Sequence, residues 1–492
     1  MGSTTTDGSF ISTRSGKAIL ALVCLAAFLD VIDTTIVNIA LPSIRKDIHF
    51  TVQSLQWIAS GYLLTYGGFL LLGGRAADLL GRRRLFVTGT LLFGASSLAC
   101  GLAGSEGVLI GARLAQGLGA AMMTPAALSI LTTTFAEGKD RTKAIGLWSA
   151  TIPLGAVIGV LAGGVLTQSI GWRWVFFVNL PVCAVVLVGA FRLLANDGKQ
   201  APIKNFDALG AVLSTAGMLG LVYALVNAPT VGWRSPRTIG ELAGAIIVLA
   251  LFVVTELRHR NPLFPLSIFR IKGIAAADAT QVIAQAGFYS MFFFITLYMQ
   301  NVLGFSPVEA GAAYIPVTIG VGMSTGIATK LLPRTGSRPI IVAGALIGAA
   351  GVFWLSSIPV HGSYLVDVLP GLVVMALGLG AIFVGVQTAA NAGVPADQAG
   401  LAAALGTASG QLGSALGLAI FTAIATSHTQ HLINAHVTHT VALTSGFHYA
   451  LVACSIFLVA AAVIASRAAN AKHQPVQGNE PVTDPAAVPE AA

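Results

Sequence analysis

Two acids and a base sit where apolar residues would be cheaper. Asp30 and Asp33 lie in the apolar stretch 18–40, and Arg113 lies in the apolar stretch 108–131. An arginine at the centre of a lipid-spanning helix costs roughly 2.5–3.5 kcal/mol, so Arg113 must face a cavity or a partner. Gln116 and Gly117, three and four positions on, share its face. Asp30 and Asp33 stand about 60° apart on a helix, and Thr34 and Asn38 widen the same polar wedge. A carboxylate in such a place marks a pathway or a proton relay. Two on one face can share a proton, because like charges that close resist double ionisation. The sequence holds no His-Glu-x-x-His and no Walker-type loop. Without a nucleotide site the expected energy source is an ion gradient, with no cofactor and no bound metal.

The elements that position these groups are long apolar helices. The chain has 492 residues, 55% hydrophobic and 9% charged, against roughly 25% charged in an average soluble domain. Its mean hydropathy is +0.82. Fourteen stretches approach the ~20 residues that a bilayer span needs: 18–40, 57–74, 85–104, 108–131, 144–166, 174–194, 208–227, 239–255, 275–299, 310–332, 339–357, 366–386, 400–425 and 449–466. The first holds two acids and is too long for a signal h-region. The tails before and after the spans read as disordered. Cys24, Cys100, Cys183 and Cys454 each fall in a hydrophobic segment without a CxxC, which argues against a disulfide framework.

With both tails on one side, that side holds 21 of the 27 Lys and Arg and the opposite side holds 5, with Arg113 in the membrane. The positive-inside rule then places both termini in the cytoplasm. The same bias accounts for the net charge of +8 without nucleic acid. Gly74–Arg84 after the second span is echoed by Gly326–Arg338 after the tenth: a glycine four residues before a charge, then a glycine–arginine turn. The expected organisation is an N-terminal arm (1–17), a six-helix half (18–194), a linker with two inserted helices (195–257), a second six-helix half (258–467) and a tail (468–492). Two halves around a central site is a transporter architecture.

Several segments carry a family resemblance. Gly74-Arg75-Ala76-Ala77-Asp78-Leu79-Leu80-Gly81-Arg82-Arg83-Arg84 resembles the loop signature of the major facilitator superfamily, with Leu79 where a base is usual. Arg113-Leu114-Ala115-Gln116-Gly117-Leu118-Gly119-Ala120-Ala121 resembles its fourth-helix motif, which implies proton coupling for Arg113; a structural partnership with an acid is the other reading. Asp33-Thr34-Thr35-Ile36-Val37-Asn38-Ile39-Ala40-Leu41-Pro42 closely resembles the first-helix signature of the fourteen-helix drug:proton antiporters; Asp30 lies outside it. Gly155, Gly159, Gly163 and Gly164 resemble the antiporter motif of the fifth helix, with Val160 in place of its proline and Pro153 as another source of a bend. The stretches 172–181 and 298–311 resemble the same family.

The resemblance implies an all-α membrane protein of the major facilitator fold that exports hydrophobic drugs or antibiotics, neutral or cationic, in exchange for protons. Proton coupling is expected at Asp33, Arg113 and Asp30. The conformational motifs are Gly74, Asp78, Gly81, Arg82 and Arg83, with the fifth-helix glycines. Asn38, Gln116, Gln281, Gln285, Tyr289, Tyr298, Gln387 and Asn391 are candidates for the substrate cavity, and Asp278 accompanies them. An importer or proton symporter of a small metabolite is the alternative within the fold, and a non-transporting membrane receptor is the alternative outside it. The expected partners are the bilayer, a small hydrophobic substrate and protons, in a monomer of the plasma or inner membrane; accessory export proteins are left open. His428, His431, His436, His439 and His448 cluster between the last two spans, as a solvated loop, a pH sensor or a metal site.

Overall fold

The computed structural model describes residues 10–135, 139–195, 208–258, 268–269, 271, 273–390, 392, 394, 399–468 and 470–471. Asn391 and the tail from 472 onward lie outside them. The described residues form fourteen long helices. They are α1 (Arg14–Ile48), α2 (Trp57–Leu80), α3 (Arg82–Gly101), α4 (Glu106–Thr134), α5 (Lys139–Ser169), α6 (Asn179–Leu193) and α7 (Ala208–Val231). Then follow α8 (Pro236–Arg258), α9 (Ile274–Asn301), α10 (Ile315–Thr335), α11 (Ser337–Leu355), α12 (Leu369–Ala390), α13 (Ala399–Asn434) and α14 (His439–Ala465). Thirteen stretches are long and apolar enough to cross a membrane, and α5 contributes its apolar part Leu154–Ser169.

Local chemistry sets the helix ends. Thr13 caps α1 by accepting from the Gly16 amide at 3.0 Å. Gly81 turns the chain between α2 and α3 at φ 107°, a backbone shape that side chains disfavour. A capping box of Ser306 and Glu309 opens the short helix Pro307–Ala312 before α10.

Helix pairing shows the repeat that the two loop motifs hint at. In the first half α1 packs on α4, α5 and α6, α4 on α2 and α3, and α3 on α6. In the second half α9 packs on α12, α13 and α14, α12 on α10 and α11, and α11 on α14. Adding eight to each number converts the first set into the second. The inserted α7 lies on α2 and α13, and α8 packs mainly on α7, with 11% of its span buried.

Both halves are drawn together by glycine. A Cβ on Gly163 would fall 2.8 Å from the Ile36 carbonyl of α1, and one on Gly413 would fall 2.3 Å from the Val282 carbonyl of α9. The second stripe (Gly406, Gly410, Gly413, Gly417) is as regular as the first and was not singled out from the sequence. The halves meet along α2 and α13, where Gly67 abuts Gln411 and Ala408, and also at the end opposite the termini. There the Gln300 amide donates to the Ile39 carbonyl at 2.9 Å, and Gly164 abuts Pro307.

Two expectations are corrected. The histidine cluster is not a loop. His428 and His431 lie in α13, His439 and His448 in α14, and only His436 sits in the turn. His428 stacks on Tyr449 at 3.9 Å and His448 meets the Ile358 carbonyl at 2.5 Å, so both are packing groups. The helix outlasts its apolar part because backbone hydrogen bonding continues past the hydrophobic region. The other correction concerns Ala468, Asn470 and Ala471, assigned to the tail. The Ser337 amide donates to the Ala471 carbonyl at 2.9 Å, and the Arg338 Nε donates to the Ala468 carbonyl at 3.0 Å, so these residues dock on the α10–α11 turn. Truncation after Ala471 is expected to leave melting and transport unchanged. Truncation after Arg467 removes these bonds and should lower the melting temperature by a few degrees; a thermal-shift comparison of the two checks it.

Candidate functional site

Asp33 is enclosed on every side by the first half. Its Oδ2 accepts from Arg113 NH1 at 2.5 Å, and its Oδ1 accepts from Gln116 Nε2 at 2.8 Å and Asn179 Nδ2 at 2.7 Å. Arg113 also donates to the Ile58 carbonyl of α2 at 2.8 Å and to Gln116 Oε1 at 2.7 Å. Its guanidinium lies 4.4 Å from the Tyr62 ring centre and 5.9 Å from that of Phe176. Ser97 of α3 accepts from Asn179 at 2.9 Å. Five helices thus meet at one ion pair whose side chains are 1% and 0% exposed. Breaking a buried pair on one side costs about 3–5 kcal/mol, because the surviving charge is left uncompensated. Solvent can reach the pair only if its helices move apart.

Asp30 belongs to a different set. Tyr62 and Tyr66 of α2 donate to its two oxygens, the latter at 2.9 Å. No basic side chain bonds it among the described residues, so the carboxylates of the α1 wedge are divided between a cation and two phenols. Tyr62 joins them, with its hydroxyl on Asp30 and its ring on Arg113.

The model of the Major Facilitator Superfamily matches residues 23–418. The chain belongs to the major facilitator superfamily. It is 37% identical over 430 residues to the puromycin resistance protein pur8 of Streptomyces alboniger, covering 87% of this chain and 85% of that protein. It is 37% identical over 462 residues to the cephamycin export protein CmcT of Amycolatopsis lactamdurans, covering 93% of each. The lincomycin resistance protein of Streptomyces lincolnensis is 34% identical over 419 residues, covering 84% of this chain and 85% of that protein. The fold matches an inward-facing bacterial homologue of the human lysosomal transporter Spinster, with TM-score 0.63, 18% identity, and 92% and 97% of the two chains covered. It also matches a D-xylose–proton symporter, with TM-score 0.61, 16% identity, and 91% and 97% covered.

The major facilitator motifs take definite places. Gly81 makes the α2–α3 turn, and Arg83 donates to the Phe191 carbonyl of α6 at 3.1 Å and lies over its ring. Arg82 flanks the turn at the start of α3. The side chain of Asp78 lies outside the described residues. The close approach to α4 is made by Gly73, whose Cβ would fall 2.0 Å from the Ala121 carbonyl; Gly74 leaves 3.8 Å. On α5, Gly155, Gly159 and Gly163 face α1, while Gly164 faces the other half. α5 runs unbroken past Val160, and at Gly159 and Gly163 it approaches the α1 backbone at Ile32 and Ile36; the side chain of Pro153 is outside the described residues.

Of the cavity candidates, Asn38 and Tyr289 approach each other across the halves, and Gln285 is half-buried on the same face of α9. Gln387 is half-buried on α12. Two assignments are corrected. Gln116 is fully buried as a ligand of the Asp33–Arg113 pair. Tyr298 is fully buried and donates to the Pro359 carbonyl at 2.7 Å, tying α9 to the α11–α12 connection. Gln281 is buried against Gly410. Sequence reasoning missed Ser97, Tyr62, Tyr66 and the role of Asn179. Only Asn179 had a signal, as the asparagine of the motif at 172–181.

Proposed function

We propose that the protein exports antibiotic-like hydrophobic compounds from the cell in exchange for protons. The observation that carries this reading is the enclosed Asp33–Arg113 pair. Protonating Asp33 cancels its charge and frees Arg113, so proton occupancy biases how α1 sits against α4 and α6. A proton and a substrate that prefer different arrangements are then exchanged by alternating access of the halves. Relatives named for puromycin resistance, cephamycin export and lincomycin resistance support export and a substrate of that class. Both termini lie in the cytoplasm on the Lys and Arg count, and the protein works as a monomer in the plasma or inner membrane.

The test has two arms. An efflux-deficient host carrying the chain is expected to grow on several members of an antibiotic panel. Its efflux should stop with a protonophore while ATP is held constant. Efflux that survives the protonophore and ceases on ATP depletion overturns the reading.

A further inference from the structure

Asp278 is a second buried acid that nothing above uses. It lies one turn into α9, near the end of the bundle that carries the termini, and is 5% exposed. Among the described residues neither of its carboxylate oxygens has a hydrogen-bond partner. The nearest charges along the chain, Arg270 and Lys272, lie outside the described residues. An ionised carboxylate without a partner is not stable in such a place, so the neutral acid is the form this conformation accommodates.

Its surroundings make a track. Asp278, Gln281, Gln285 and Tyr289 recur at spacings of three and four, which places them on one stripe of α9 about 16 Å long. The stripe faces the uncharged Gly406 and Gly410 of α13, where a Cβ would stand 3.8 Å from Asp278 Oδ1 and 3.1 Å from Gln281 Nε2. Glycine there leaves no side chain over the polar groups. At its other end Tyr289 meets Asn38, on the helix that carries Asp33. Polar side chains thus recur along α9 from the orphaned acid to the interface between the halves.

We propose that Asp278 is a second proton-carrying carboxyl, so that each cycle moves two protons, one on each half. This rests on the antiport reading above. When the halves rearrange and water reaches the stripe, the Asp278 O–H bond breaks. The proton passes to water at the termini end, and the electron pair stays on the carboxylate. A proton from the opposite aqueous phase restores the acid before the next cycle.

The experiment compares wild type, Asp278→Asn, Asp278→Glu and Asp33→Asn reconstituted in liposomes. Infrared difference spectra across a pH titration need no substrate. Part of the C=O absorption of protonated buried carboxyls is expected to be lost in Asp278→Asn and kept in Asp33→Asn. The proton-to-substrate ratio, measured with a compound from the growth panel, should fall from two to one in Asp278→Asn and stay at two in Asp278→Glu. A C=O spectrum that Asp278→Asn leaves unchanged, or a ratio that it leaves unchanged, overturns the proposal. A wild type that moves no protons sinks the antiport reading and this proposal together.

Discussion

Asp33→Asn is expected to reduce pH-driven transport to the level of protein-free liposomes. The asparagine keeps the size of the side chain and can still accept one bond. It also presents an NH₂ to the guanidinium of Arg113, which now approaches at 2.5 Å, so donor meets donor. Arg113 then stays charged and 1% exposed without its anion, at a cost of about 3–5 kcal/mol. Lost stability alone would also stop transport, so a second variant separates the causes. Asp33→Asn with Arg113→Gln removes the orphan charge and should recover most of the melting temperature while transport stays absent. Normal transport by the double variant would show that the pair only holds the helices together.

Gly159→Val should have an effect nearly as large, by geometry. A Cβ at this position falls 2.0 Å from Thr35 Oγ1 and 3.2 Å from the Cα and carbonyl oxygen of Ile32. The threonine can rotate, but the backbone of α1 cannot yield locally. The helix that carries Asp30 and Asp33 would be pushed off α5. Overpacking of this kind costs about 1–3 kcal/mol, and a shift of an ångström at a pre-organised site costs about 100-fold in rate. Transport is expected to fall by about that factor. Gly159→Ala combined with Thr35→Ala should recover part of it, because the nearest clashing atom is gone. Gly146→Ala on the same helix, where nothing lies within 4 Å, serves as control. Wild-type transport and melting by Gly159→Val would mean that α1 and α5 are not held at this distance in the working protein.

How much of the site was legible differs residue by residue. Asp33 and Arg113 stand out because a charge in an apolar run has no cheap explanation. Which acid Arg113 takes was not legible, since Asp30 and Asp33 are only about 60° apart on one helix. Tyr62 and Tyr66 read as ordinary packing, and only the position of α2 beside α1 turns them into the donors for Asp30. Tyr298 erred the other way: an aromatic on the right helix proved to be a far-end anchor.

By itself, the sequence determined the count of long apolar helices, the family, and the places where polarity in an apolar run demands a partner. These are local properties, written in hydropathy and in the cost of a buried charge. Only the tertiary structure decided which charges neutralise each other, which glycines touch, and that Ala468 and Ala471 dock on the α10–α11 turn. It also decided that Asn179, 146 residues from Asp33, completes that residue's shell. Such contacts depend on how helices far apart in the chain pack, and a polar side chain's partner is set by its neighbours in space.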